Sequence, residues 1–146
     1  MSSMKIGIVV AEFNSDITLE MLEEAKGKAQ DLNIEIIKIV KVPGAYDIPL
    51  AVKKLLKLSE IEGVATLGCI IQGSTDHDQV IAYSTAKKLS ELSLEFEKPV
   101  TLGVMGPNIN KEQAYERISH YACHSVESLL KIKNELEKNE LEKLNN

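Results

Sequence analysis

The sequence predicts an α/β protein, a three-layer α/β/α sandwich in which a four-stranded parallel sheet carries helices on both faces. Three observations lead there. Four short apolar runs, rich in β-branched residues, lack the polar alternation of a sheet wetted on one side. A segment with helical apolar spacing follows each run, giving the order β-α-β-α-β-α-β-α. Right-handed crossovers between parallel strands then place helices on both faces.

The elements can be justified in order. Lys5-Ile6-Gly7-Ile8-Val9-Val10-Ala11 reads as a strand buried on both faces. Glu12-Phe13-Asn14-Ser15-Asp16 breaks it. Ser15 or Asp16 suits the N-cap of a helix with Ile17, Met21, Leu22, Ala25, Ala29 and Leu32 on one face. A second strand from Ile34 to Val42 stops at Pro43-Gly44. Ala45-Tyr46-Asp47-Ile48-Pro49 opens the next helix. Asp47 suits its N-cap, and Pro49 is tolerated in the first turn, where its missing N–H has no partner in any case. Ile48, Ala51, Val52, Leu55 and Leu56 form the apolar stripe.

A third strand spans Gly63 to Ile71. A helix from about His77 to Leu94 offers Val80, Ile81, Tyr83, Ala86 and Leu89 for packing. The fourth strand, Pro99 to Met105, ends at Gly106-Pro107. Asn110 and Gln113 read as a capping box for one last helix that runs past Leu130. Residues 131–146 are charged, and Ile132, Leu136, Leu141 and Leu144 give only a broken stripe, so this tail is expected to fray or pack weakly. The chain, 1–146, reads as one domain without linker, repeat or low-complexity segment.

Composition narrows the function. Of 146 residues, 44% are hydrophobic and 27% charged, as in ordinary globular proteins. The net charge of −5 argues against nucleic acid or an anionic membrane as partner, so an anionic ligand must be caught locally. No run approaches the roughly 18 apolar residues of a membrane span, and the start has no signal-peptide shape. Cys69 and Cys123 form no CxxC pair and read as reduced thiols of a cytoplasmic protein.

Four loops fall at the carboxyl edge of the sheet, where α/β proteins bind ligands: 12–16, 43–47, 72–77 and 106–110. They lack the dinucleotide GxGxxG and the GxxxxGK[ST] phosphate loop. Asp76-His77-Asp78 does not read as a metal site, because adjacent residues at a helix start diverge and no second histidine stands at ligand spacing. His120 and His124 share a helix face and read as surface at a subunit contact. The distinctive stretch is Gly68-Cys69-Ile70-Ile71-Gln72-Gly73-Ser74-Thr75-Asp76-His77. It leads from a buried strand through a small-residue turn into a helix start, a place suited to a phosphate with a proton-transfer group beside it.

Four ordered motifs carry a resemblance. They are Phe13-Asn14; Val42-Pro43-Gly44-Ala45-Tyr46-Asp47-Ile48-Pro49-Leu50; the stretch just quoted; and Pro99-Val100 through Glu112-Gln113-Ala114-Tyr115-Glu116-Arg117. Together they resemble the lumazine synthase family, most of all its archaeal branch, from about Lys5 to Leu130. The resemblance implies a flavodoxin-like fold and the penultimate step of riboflavin biosynthesis. In that step 5-amino-6-(D-ribitylamino)uracil condenses with 3,4-dihydroxy-2-butanone 4-phosphate to give 6,7-dimethyl-8-ribityllumazine, phosphate and water. It implies no metal or organic cofactor. It also implies homopentamers, sometimes twelve of them in an icosahedral shell, with active sites between subunits.

Residue roles follow from the same resemblance. Phe13 stacks on the pyrimidine ring, or alternatively anchors its loop in the core. Ala45, Tyr46 and Asp47 meet the ribityl chain, and Asp47 can also cap its helix. Cys69, Ile70 and Ile71 present backbone groups to the pyrimidinedione edge, with no thiolate chemistry at Cys69. Ser74 and Thr75 hold the phosphate at the helix start. Arg117 reaches the same phosphate from the neighbouring subunit, and Leu102, also from the neighbour, closes over the ring. His77 moves protons during carbinolamine dehydration, phosphate loss and ring closure, steps suited to an imidazole.

This chain departs from the family in places. Relatives often have glutamate at Asp47 and phenylalanine at Leu102. Gln72 replaces an arginine common in bacterial members, and a lysine they carry after the Arg117 motif is absent. The loop Gly106-Pro107-Asn108-Ile109 looks one residue longer, and the short N-terminus is not expected to add a strand to a neighbour's sheet. Two other readings share the pocket: the related archaeal riboflavin synthase, and a non-catalytic flavin- or pterin-binding cage protein.

Overall fold

A computed structural model describes residues 3–138 of the chain. The elements are β1 (Lys5–Ala11), α1 (Ser15–Asp31), β2 (Glu35–Val42), a 3-10 turn (Ala45–Asp47), α2 (Ile48–Leu56), β3 (Gly63–Cys69), α3 (His77–Phe96), β4 (Val100–Met105), α4 (Lys111–Glu116) and α5 (Ile118–Lys138). The strands pair in parallel in the order β2-β1-β3-β4. This is the α/β/α sandwich that the apolar runs predict.

The pleat of β1 produces two cores. Ile6, Ile8 and Val10 join Ile17, Met21 and Leu22 of α1 and Ala122, Val126 and Leu129 of α5. Val9 and Ala11, on the opposite face, join Val52 and Leu55 of α2 and Ala82, Leu89 and Leu92 of α3. Each Val, Ile, Leu or Met among them contributes about 1.5–3 kcal/mol by leaving water, and each Ala less. Gly7 lets α2 come close, since a Cβ there would lie 2.8 Å from the Leu55 Cδ1. The chain leaves β1 toward β2 and then returns to β3 on the other side. The resulting switch point opens a crevice at the carboxyl ends of β1 and β3.

Several local expectations change. The N-cap of α1 is Asn14, at φ 66°, rather than Ser15 or Asp16, and no side chain caps it. Asp47 takes the N-cap position of α2 as expected, but its side chain makes no cap bond there; its Oδ2 accepts from the Gly44 N–H at 3.0 Å and closes the 3-10 turn. On α3 the buried face is Asp78, Ala82, Thr85, Leu89 and Leu92. Val80 and Tyr83, expected to pack, are 66% and 61% exposed.

The single last helix is two. The Asn110–Gln113 capping box starts α4, with Asn110 Oδ1 accepting from the Gln113 N–H at 2.8 Å and Gln113 Oε1 from the Asn110 N–H at 3.0 Å. The chain then breaks at Arg117 (φ −107°, ψ 4°) before α5. Residues 131–138 are helical rather than frayed, held in part by Lys133 between Glu62 at 3.7 Å and Glu137 at 3.0 Å. Ile132 and Leu136 remain exposed there. The rest of the charged tail, with Leu141 and Leu144, lies outside the described residues.

Candidate active site

Three of the four carboxyl-edge loops wall a cavity of about 500 Å³ at the switch point. Its lining includes Phe13, Ala45, Tyr46, Cys69, Ile70, Ile71, Ser74, Thr75 and His77, all singled out in the sequence. Asn14, Gly44, Gly73, Asp78 and Ile81 line it as well, and the sequence singles out none of them individually as a site residue. Asn14 was legible as Phe13's partner in its motif. Asp78 carried no such signal.

The first loop is held by its backbone. The ladder between β1 and β2 continues past both strands, with the Glu12 N–H donating to the Val42 oxygen at 2.8 Å and the Phe13 N–H to the Pro43 oxygen at 2.9 Å. Asn14 Nδ2 donates to the Cys69 oxygen at 2.9 Å and ties the loop to the end of β3. The Phe13 ring itself is 73% exposed. It anchors nothing in the core, and its face is open to a planar ligand.

The second loop presents the buried Ala45 and the exposed Tyr46. The Ala45 oxygen accepts from the Thr85 hydroxyl at 3.4 Å, which joins the 3-10 turn to α3. Asp47 is not among the lining residues, and its carboxylate is engaged by Gly44.

The floor is the end of β3. The Ile70 N–H donates to the Met105 oxygen at 2.8 Å, and the Cys69 oxygen is taken by Asn14, so two peptide groups of the Cys69–Ile71 segment are already engaged. Burial pushes the Cys69 thiol up from 9.0 to about 11, so it stays protonated near neutrality and is no nucleophile. Gly106 packs against this floor at φ 109°, where a Cβ would meet the Ile70 oxygen at 2.5 Å. Only glycine fits that close approach.

The third loop feeds the N-terminus of α3, a helix of 20 residues. Its first N–H groups and the positive end of its dipole face the loop, a natural seat for an anion. Thr75 Oγ1 accepts from the His77 N–H at 3.4 Å, and Asp76 at the N-cap makes no side-chain cap. Ser74, Thr75 and His77 are all exposed to the cavity side.

Leu102 and Arg117 are not brought to this cavity. They line a second one of about 450 Å³ with Glu116, His120, Tyr121 and His124. The His120 and His124 rings stack there with centroids 5.7 Å apart. Asp16, in the first turn of α1, accepts from the Tyr115 hydroxyl and pairs with Lys111 Nζ at 3.0 Å, which fastens α4 to the start of α1. Those partners, Tyr115 first, hold the Asp16 carboxyl below its usual range. Among the described residues no group of three or more His, Cys, Asp or Glu side chains is placed to hold a metal ion.

Known proteins share this pattern over nearly the whole chain. Residues 3–137 match the profile of the 6,7-dimethyl-8-ribityllumazine synthase family. A protein of Metallosphaera sedula called 6,7-dimethyl-8-ribityllumazine synthase is 54% identical over 90% of this chain and 87% of its own length. The protein of the same name from Saccharolobus solfataricus is 52% identical over 89% of this chain and 84% of its own. That of Sulfolobus acidocaldarius is 50% identical over 94% and 87%. The chain belongs to the 6,7-dimethyl-8-ribityllumazine synthase family.

Proposed function

We propose that the switch-point cavity is one half of a lumazine synthase active site, completed by a neighbouring copy of the chain. The chain is a lumazine synthase of riboflavin biosynthesis. It condenses 5-amino-6-(D-ribitylamino)uracil with 3,4-dihydroxy-2-butanone 4-phosphate and releases 6,7-dimethyl-8-ribityllumazine, phosphate and water.

One observation carries the assignment of roles. An exposed aromatic face, a peptide floor, a helix N-terminus and a histidine line a single cavity. Phe13 stacks on the pyrimidinedione, with Ala45, Tyr46 and the Cys69–Ile71 floor around the ring and ribityl chain. Asp47 lies just outside and meets the ribityl hydroxyls at its far end. Ser74, Thr75 and the start of α3 take the phosphate. The uracil amine attacks the ketone, and the carbinolamine loses water to an imine. A proton then leaves the carbon beside the imine as the phosphate departs, and ring closure expels a second water. His77, beside the phosphate seat, takes and returns these protons. Holding two intrinsically reactive partners together supplies much of the rate.

Leu102 and Arg117 belong to the cavity of the adjacent subunit in this reading. Two features support it. Both residues are far enough around the fold to line a separate cavity, and the first cavity contains no cation of its own among its lining residues. The assembly is a homopentamer, with the icosahedral shell as the larger alternative, built from one catalytic domain per chain in the cytoplasm. Among the described residues no helix is long and apolar enough to cross a membrane.

Mixing the purified protein with both substrates and following lumazine absorbance and fluorescence tests the activity. No acceleration over buffer would leave the cage-protein reading. Riboflavin formed from lumazine alone would favour the riboflavin synthase reading. Light-scattering mass reads the assembly.

A further inference from the structure

Asp78 is the one charged residue in the buried class among the described residues, at 5% exposure, and it lines the active-site cavity directly after His77. A buried carboxylate without compensation is costly. This one has two sources of support. It stands in the first turn of α3, at the positive end of the helix. Its Oδ2 accepts from the Asn108 N–H at 3.1 Å.

Asn108 belongs to the loop after β4 and sits at φ 62°, a conformation asparagine tolerates better than most residues. Gln79 Nε2 adds a contact to its Oδ1 at 3.4 Å. The next residue completes a clasp, since the Ile109 oxygen accepts from the Gln72 N–H at 2.8 Å. Asn108 and Ile109 therefore grip the β3–α3 loop at both ends, Gln72 before it and Asp78-Gln79 after it. Between the grips, Gly73, Ser74, Thr75 and Asp76 are exposed, and a Cβ on Gly73 would meet nothing within 4 Å. The short exposed segment gets its shape from its ends.

We infer that Asp78 is a positioning residue for the phosphate seat, acting through Asn108 to hold the Gly73–Asp76 segment and the α3 N-terminus in the geometry that receives the phosphate ester. The inference rests on the phosphate role of that segment proposed above. It also accounts for an acid beside an anion site. A carboxylate facing the phosphate would repel it, whereas one whose Oδ2 is held by the Asn108 N–H at the start of α3 has part of its charge offset by that bond and by the helix end.

The test separates hydrogen bonding from charge. Asp78→Asn keeps an acceptor for the Asn108 N–H and removes the charge, so the KM for the phosphate ester should stay near the wild-type value or fall. Asp78→Ala should raise that KM about 10-fold or more, with the KM for the pyrimidine substrate little changed. Asn108→Ala strains the clasp from the other side without touching the α3 core. It keeps the main-chain N–H that Asp78 accepts from but loses the Gln79 contact and strains the backbone at φ 62°, so it should shift the same constant in the same direction; if Asp78→Ala does not fold, an unchanged constant in Asn108→Ala overturns the inference. Inorganic phosphate, followed by 31P line width, should show the same order of affinities. An unchanged phosphate-ester KM in folded Asp78→Ala or Asn108→Ala, or equal losses for both substrates in either, would overturn the inference. A wild-type protein that makes no lumazine would instead remove the functional reading on which it stands.

Discussion

The side-chain amide of Asn14 donates to the main-chain oxygen of Cys69 at 2.9 Å, across 55 positions of sequence. That bond joins the loop after β1 to the end of β3, the two strands that flank the switch point. Asn14 also takes the left-handed conformation at φ 66°. Asn14→Gly keeps the conformation and loses the bond, at about 1 kcal/mol. Asn14→Ala loses the bond and adds a left-handed penalty of about 1 kcal/mol more. Urea unfolding should rank wild type above Gly above Ala. Equal stability of the two variants would show that the backbone at Asn14 is not strained by a Cβ.

Phe13 isolates binding from folding. Its ring is 73% exposed, so Phe13→Ala should change stability by less than about 0.5 kcal/mol. Stacking of an aromatic side chain on a base-like ring is worth about 1–3 kcal/mol, so the KM for the pyrimidine substrate should rise about 10-fold. Phe13→Leu keeps apolar area without a π face and should fall between. A loss in Tm matching the loss in activity would return Phe13 to a scaffolding role.

Two groups shape the pH dependence of stability in opposite limbs. Asp16 titrates below its unfolded value of 3.8, chiefly through the Tyr115 hydroxyl and then Lys111. Its contribution is complete above 3.8 and is lost as pH falls through the lower folded value. Asp16→Asn should therefore flatten the acid limb. Cys69 titrates above its unfolded value because burial disfavours the thiolate. That contribution is complete below 9.0 and is lost as pH rises toward about 11. Cys69→Ala should flatten part of the alkaline limb, with Tyr115 and Lys111, both raised by Asp16, supplying more of it. At pH about 8 iodoacetamide should label the half-exposed Cys123 while Cys69 stays unmodified, read by mass. Two labels on the folded protein would contradict a buried thiol.

The sheet was legible because its information is local. Runs such as Ile8-Val9-Val10 suit only a doubly covered strand, and parallel order then fixes which loops share an edge. The misreadings arise where local pattern is silent about direction. Val80 and Tyr83 satisfy helical apolar spacing as well as Ala82 and Leu89 do, yet they stand exposed. Spacing records that a side chain is apolar, not what covers it. The break at Arg117 has no glycine or proline to announce it; it comes from packing of Ala114 and Ile118 into the core on either side. Nothing in the sequence marks Asp78 as buried, because its partner, the Asn108 N–H, lies 30 positions away.

Arg117 gives the sharpest test of a shared site. It sits at the α4–α5 joint, its N–H donating to the Ala114 oxygen at 3.1 Å and its own oxygen accepting from the Tyr121 N–H at 3.0 Å. The joint aims it into the cavity with Leu102 rather than the one with His77. Arg117→Ala should raise the KM for the phosphate substrate by about one to two orders of magnitude. Arg117→Lys should recover little, because the planar fork is lost with the guanidinium. The decisive measurement uses two impaired partners, assayed at phosphate-substrate concentrations well below the raised KM. A subunit with His77→Ala still carries Arg117, and one with Arg117→Ala still carries His77. If each site takes His77 from one chain and Arg117 from the next around a ring, random co-assembly of the two restores about a quarter of the sites. If both residues served a site within one chain, every site in the mixture would lack one of them, and co-assembly would leave activity at the average of the two impaired parents.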